Sequence, residues 1–330
     1  MKKWWFISLV VVAAGWVVVS IVTLPPRLKE PKLVEIPEKA TAGEIAKLLK
    51  EENIIRHASW FLFLTNRWRV QEKLQAGIYE FSGRTALKTV IRKLVQGQIA
   101  LIKITVPEGA TCRDIGAILE RRRVISQKDF EEFARKRQLE GFLFPDTYLF
   151  PVNVSVETVV NRMLENFHGQ FSKLYGQEKV ELTAAEMKKV VTVASIVEKE
   201  AETDSERPVI ASVLYNRLKK RLPLQVCATV EYALGKHKAR LSHQDLKVKS
   251  PYNTYLHRGL PPGPICNPGK KSLQAALKPA RTDFLFFVTR GDGTHHFSRT
   301  FAEHAAAIKI YLDSSSNSES QPAVAVKDSG

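Results

Sequence analysis

From Trp4 through Leu24 the chain runs 21 residues without an Asp, Glu, Lys or Arg. As a helix rising about 1.5 Å per residue, this run would be about 31 Å long, enough to cross the hydrocarbon core of a bilayer. Lys2-Lys3 ahead of it favour a cytoplasmic amino terminus, and Trp4-Trp5 suit the headgroup region. Ala13-Ala14-Gly15 offers small residues for a signal-peptide cut. The apolar run continues past them, however, and no small-x-small site follows before Pro25-Pro26. The expectation for residues 1–24 is an uncleaved single-pass anchor, with the rest of the chain outside the cytoplasm. Residues 25–33, with Pro25, Pro26 and Pro31, read as a short stiff linker.

A chain of 330 residues has room for two domains and a sizeable core. Its net charge of +16, from 50 Lys and Arg against 34 Asp and Glu, favours anionic partners. The basic clusters Arg121-Arg122-Arg123, Arg135-Lys136-Arg137 and Lys219-Lys220-Arg221 lack the aromatic interleaving of a nucleic-acid surface. They read as solvated helix faces first and as membrane-proximal charge second; no nucleic-acid partner is expected. Cys112, Cys227 and Cys266 are too few for a disulfide framework. Cys227–Cys266 is the pair to test in an oxidising compartment, buried free thiols are the favoured state, and no zinc spacing is present.

The pattern after the linker repeats at a spacing of 70 residues. Ile36-Pro37-Glu38-Lys39-Ala40-Thr41, followed by Ile45, Leu49, Ile54 and Ile55, recurs as Val106-Pro107-Glu108-Gly109-Ala110-Thr111, followed by Ile115, Leu119, Val124 and Ile125. Each copy reads as a strand, a Pro-Glu turn, a capping Thr and an amphipathic helix. Between them, residues 75–81 and 99–106 read as strands and 86–94 as a helix. From Val156 the periodicity turns helical (156–174, 183–201, 207–218), then gives way to Gly- and Pro-rich turns beyond Leu222. A strand at 284–289 and a helix at 301–312 close the domain, and the Ser-rich residues 313–330 read as a disordered tail. The fold class expected is α+β: an N-terminal transmembrane helix, small duplicated α+β units over 34–155, and a mixed helical/β domain over 156–312.

Two carboxylates close the most apolar helix, Val193-Ala194-Ser195-Ile196-Val197-Glu198-Lys199-Glu200-Ala201. At roughly 100° per residue Glu198 and Glu200 fall on opposite shoulders of the apolar arc, with Thr192, Ser195 and Lys199 turned to solvent. Both cannot face one cleft. The periodicity leaves two readings open. A carboxyl kept protonated near neutral pH beside apolar surface can act as a general acid. A boundary residue can equally pack its stem and keep its head wet. Elsewhere, Ser250-Pro251-Tyr252-Asn253-Thr254-Tyr255 and Gly259-Leu260-Pro261-Pro262-Gly263-Pro264-Ile265 place Asn and Tyr on a proline-stiffened loop suited to a sugar, or simply shape a turn.

These segments, together with Leu139-Glu140-Gly141-Phe142-Leu143-Phe144-Pro145-Asp146-Thr147-Tyr148 and Gly293-Thr294-His295-His296-Phe297-Ser298, make the chain resemble the MltG-type (YceG-like) endolytic murein transglycosylases of bacteria. The resemblance runs from the anchor to about Leu312. It implies a LysM-like region over 34–155 and a catalytic domain over 156–312 that cuts peptidoglycan strands. It also implies placement on the outer (periplasmic) side of the cytoplasmic (inner) membrane and possible work beside peptidoglycan synthases. The family's catalytic glutamate matches Glu200, leaving Glu198 as the secondary candidate acid. Gln225, Thr229, Asn253, Tyr255 and His295 fall on motif positions expected to meet the substrate. One departure is plain: where many members read Leu-Gln-x-Asp-Pro-Thr-Val, this chain has Leu224-Gln225-Val226-Cys227-Ala228-Thr229-Val230.

The resemblance further implies cleavage of the MurNAc–GlcNAc β-1,4 bond without water, leaving a 1,6-anhydroMurNAc end and terminating strand elongation. One residue serves as acid and then as base, and no cofactor or metal is needed. Two rival readings belong to other classes. A non-catalytic, membrane-anchored wall-binding scaffold would not need Glu200, and a metalloenzyme would draw on His295, His296 and His304.

Overall fold

The computed structural model describes residues 25–176, 182–238 and 241–313. The expected anchor, residues 1–24, and the tail beyond 313 lie outside them. Among the described residues no helix is long and apolar enough to cross a membrane.

The chain forms two compact units. One holds the residues up to Ile102 together with Leu149–Asn153; the other holds Lys103–Tyr148 and the chain from Val154 onward. The division thus falls at 102/103 rather than at 155/156, where the periodicity changes. In the first unit β1 (Lys32–Ile36) leads through α1 (Ala42–Glu51) and α2 (Ala58–Arg67) to β2 (Gly77–Phe81) and then α3 (Leu87–Val95). The strands β1 and β2 pair antiparallel, Lys32 opposite Phe81 and Ile36 opposite Gly77. Alternation on the strands and i, i+4 spacing on α1 send Val34, Ile36, Ile45, Leu49, Tyr79 and Phe81 into one core with Phe61 of α2. The stretch read as a linker joins this unit: Arg27 bridges to Arg84, and the Leu28 N–H donates to Gly83 O at 2.9 Å.

The second copy follows the same order: β3 (Leu101–Thr105), α4 (Cys112–Arg121), α5 (Gln127–Lys136) and β4 (Thr147–Pro151), with β3 paired to β4. Local geometry recurs bond for bond. Thr41 and Thr111 each close a capping box, with Glu44 and Asp114. Ala40 N–H donates to Pro37 O, and Ala110 N–H to Pro107 O, both at 3.3 Å. The first helix of each copy ends in a left-handed residue, Asn53 and Arg123, both at φ 56°. Tyr79 OH reaches Gln75 O and Tyr148 OH reaches Phe144 O, each four residues back. The sequence repeat is a repeated βααβ motif, whose second copy buries Phe130 and Ala134 of α5 at i, i+4 and Tyr148 and Phe150 of β4 by alternation.

The rest of the second unit is α6 (Val156–Tyr175), α7 (Ala184–Glu200), α8 (Arg207–Lys219), α9 (Cys227–Leu234), α10 (Lys270–Leu277), the hairpin β5 (Phe286–Thr289) with β6 (His295–Ser298), and α11 (Phe301–Ile308). Helix α7 packs against α8, α9 and α10 and is buried on every side from Val191 to Val197. Thr192 and Ser195 are therefore inside, not turned to solvent. Their hydroxyls donate to Lys188 O and Thr192 O, and Ser195 Oγ also accepts the Ile265 N–H at 3.0 Å. The loop that covers the polar stripe is remote in sequence, so the helical period could not reveal it. Gly141, at φ 89°, lets the backbone pass where a Cβ would overlap the Pro264 ring.

Candidate active site

Helix α7 starts on a capping box, Thr183 with Glu186, and ends at Glu200, where Ala201 turns extended. Glu200 is half-buried. Desolvation pushes its carboxyl up to about 7, against the pull of the Ala228 backbone N–H and the charge of His295; Glu231 adds to the rise. Ala228 lies in the first turn of α9, whose N-cap residue Val226 offers no side-chain cap. The first-turn N–H groups of α9 have no side-chain cap, and that of Ala228 lies close enough to favour the ionised Glu200.

His295 opens β6 and is buried. Glu206 holds it at two points: Oε1 accepts the His295 N–H and Oε2 meets Nδ1, both at 2.8 Å. Desolvation works against ionising Glu206, but these two bonds outweigh it and keep its carboxyl below the ordinary range. An ionised carboxylate only accepts, so Nδ1 carries the proton. The Phe287 ring stands edge-on to the imidazole, centroids 5.4 Å apart.

Glu198 looks elsewhere. Its Oε1 lies 3.3 Å from Arg207 Nη1, and its Oε2 accepts the Gly269 N–H at 2.9 Å, at the start of α10. Arg207 also reaches Asp204 and Ser272. This carboxylate fastens three helices through partners that Glu200 does not share.

Among the other expected substrate contacts, Tyr255 stays beside Glu200: burial raises its hydroxyl, which lies 3.2 Å from Cys227 Sγ and feels the Glu200 charge. Gln225 sits in a left-handed turn, φ 52°, and its Oε1 accepts from Arg217 Nη2 at 2.7 Å. Thr229 and Asn253 are placed differently from expectation, for both are fully enclosed. Thr229 Oγ1 donates to Val226 O and meets Thr254 Oγ1. Asn253 Nδ2 donates to Leu246 O and Val248 O, and its Oδ1 accepts the Tyr255 N–H. They set the loop that carries Tyr255 and are enclosed within it. The Pro262-Gly263-Pro264 turn and Tyr252 line a cleft of about 1050 Å³ with Glu140 and Tyr232, and Glu200 is not part of its lining.

All three cysteines are free; Cys266 is buried, whereas Cys227 is exposed rather than buried. Among the described residues no three His, Cys, Asp or Glu side chains gather as a metal site. His295 is held by Glu206, His296 lies against Tyr311 and His304 stacks on Phe286. Sequence reasoning missed Glu206, Glu231 and Ala228. An acid just before the Arg207-Pro208 helix start is a weak signal for the first. Ala228 contributes only backbone, which no side-chain pattern announces.

Residues 34–310 match the model of the YceG-like family. The chain is 35% identical over 308 residues to an endolytic murein transglycosylase of Bacillus subtilis, covering 85% of each. A Streptococcus pneumoniae protein of the same name is 25% identical over 346 residues, which cover 92% of this chain and 62% of that one. The 2.6 Å crystal structure of a YceG-like protein of Listeria monocytogenes aligns with a TM-score of 0.55 and 33% identity, over 84% of this chain and 99% of that one. On these grounds the chain belongs to the YceG-like family.

Proposed function

We propose that this chain is a lytic transglycosylase that cuts MurNAc–GlcNAc β-1,4 bonds inside peptidoglycan strands, with Glu200 as its single acid and base. The observation that carries the reading is a carboxyl desolvated to a pKa of about 7 yet still served by one backbone N–H and one nearby imidazole. Such a group is protonated often enough to donate, and its conjugate base is stable enough to form. Glu200 gives its proton to the GlcNAc O4 as the C1–O4 bond breaks. The Ala228 N–H and His295 stabilise the resulting carboxylate. That carboxylate takes the proton of the MurNAc C6 hydroxyl as O6 closes on C1, so Glu200 ends protonated and no water is consumed. Hydrolases of this bond class ordinarily need a second carboxylate; Glu198 is committed to Arg207, and the oxygens of Glu231 are engaged by His237 and the Lys238 N–H.

The endolytic murein transglycosylases named among the relatives support this substrate. The apolar run 4–24 supports anchoring with an external catalytic unit, next to the synthases that supply nascent strands. The βααβ copies are assigned as LysM-like glycan-holding modules on their element order. Mass spectrometry of digested peptidoglycan tests the reaction. Glycan fragments with 1,6-anhydroMurNAc ends are expected from the native chain and none from Glu200→Gln. Reducing MurNAc ends would make it a hydrolase and refute the mechanism.

A further inference from the structure

The duplication supplies an internal control for what the βααβ motif requires of its second helix. Phe61 of α2 and Phe130 of α5, 69 positions apart, are both fully buried. One residue earlier and two later, the outward stripe differs in kind. In α5 it is Asp129, Glu132 and Lys136, with Lys136 Nζ 2.6 Å from Glu132, an ordinary solvated face. In α2 the matching positions are Trp60, Phe63 and Arg67, which share one face at i, i+3 and i+7. Trp60 is 41% exposed, Phe63 57% and Trp68, just beyond the helix, 40%. The Trp60 and Phe63 rings meet edge to face, 5.7 Å apart. The fold does not demand this aromatic surface, since the other copy does without it.

Charge and chain path say what covers it. No Asp or Glu occurs from Asn53 to Gln71, whereas Arg56, Arg67 and Arg69 are all exposed there. Pro25, the first described residue after the apolar run, lines a cavity of about 310 Å³ with Trp60, His57 and Leu64. Two residues later Arg27 is bridged into the unit. At roughly 3.5 Å per residue, three residues of chain hold this unit within about 10 Å of wherever Leu24 leaves the apolar run. Trp at the headgroup level and Arg beside anionic lipid are the two signatures of a membrane-contacting surface.

We infer that the Trp60–Phe63–Trp68 face, with Arg67 and Arg69, docks on the outer surface of the membrane among anionic phospholipid headgroups. This rests on the proposed anchor. The face fixes the orientation of the first βααβ unit at the bilayer, so that the tether is not a free swivel.

The test uses the full chain with Trp4, Trp5 and Trp16 changed to Phe, which leaves Trp60 and Trp68 as the only fluorophores among the five tryptophans. It is reconstituted in phosphatidylcholine/phosphatidylglycerol vesicles carrying a headgroup nitroxide lipid, with flotation measured in parallel. Quenching of at least about twofold is expected, falling away in Phe63→Glu/Arg67→Glu, which puts an acid where the second copy has Glu132 and reverses the charge of Arg67. Circular dichroism confirms that this variant folds. A chain that floats without quenching overturns the docking and leaves the anchor intact. A chain that does not float overturns the anchor and the docking with it. Emission that responds to MurNAc–GlcNAc oligosaccharide but not to lipid makes the face a sugar platform and likewise overturns the inference.

Discussion

Glu206 grips His295 through both carboxylate oxygens, one on the backbone N–H and one on Nδ1, each at 2.8 Å. The imidazole so fixed is the neighbour whose charge favours the Glu200 carboxylate. Glu206→Gln removes the ionised partner that holds the ring in place through Nδ1. The Glu200 pKa should then rise, and the decline in kcat/KM as Glu200 deprotonates should move to higher pH. Turnover should fall on the order of 10-fold to 100-fold, the usual cost of misplacing a group beside the reacting atoms. A pH–rate profile whose alkaline limb stays in place in Glu206→Gln would show that the pair is merely structural.

Position 228 offers a second handle on the same carboxyl. Proline has no N–H to give, and the first turn of a helix tolerates it. The Ala228 N–H lowers the Glu200 pKa, so Ala228→Pro should raise it. A hydrogen bond to a charged group is worth about 1.5–3 kcal/mol, or about one to two pH units. The alkaline limb should shift upward by that amount, read from kcat/KM between pH 5 and 9 alongside circular dichroism. An unmoved limb would remove Ala228 from the electrostatics of the site.

Glu198→Gln should act on stability and spare turnover. The Glu198–Arg207 pair is nearly enclosed, with side chains 7% and 10% exposed. Breaking such a pair from one side costs about 3–5 kcal/mol where the other charge is left alone, and less here, because Arg207 keeps Asp204 and Ser272. The double variant Glu198→Gln/Arg207→Met should recover part of that loss. Urea unfolding reads the stability. If kcat per folded molecule dropped as far as in Glu200→Gln, Glu198 would have to be returned to the chemistry.

Glu140 gives the fold a pH dependence. Desolvation pushes its carboxyl up to about 7, although the Cys112 N–H and the Tyr232 hydroxyl work to lower it. A carboxyl whose pKa is raised on folding contributes stability at low pH, and that contribution is lost as pH rises from about 4.5 through about 7. A rise of this size corresponds to roughly 3 kcal/mol. Glu200, raised in the same way, adds to the slope. The unfolding free energy should fall between pH 4.5 and pH 8, and Glu140→Gln should flatten that fall. An equal slope in the variant would mean that the native carboxyl titrates as it does in the unfolded chain.

Much of the scaffold follows from short-range rules that a sequence displays openly. The Pro-Glu turn, the Thr cap and the i, i+4 aliphatics at residues 36–55 and 106–125 are local, and they build the same βααβ entry twice. The opposition of Glu198 and Glu200 is equally local, because a helix two residues on has turned by roughly 200°. What each carboxylate meets was decided far along the chain. Arg207 and Gly269 claim one; Ala228 and His295 surround the other. Asn253 and Thr229 carry the right groups for a sugar, yet the fold turns both inward and encloses them. Ser195 reads as solvent-facing by period and is buried by a loop 70 residues away. Periodicity records the angle at which a side chain leaves its own helix. The dielectric and the hydrogen-bond partners that decide whether a carboxyl is an acid, an anchor or a spectator come from other elements, and only the tertiary structure supplies them.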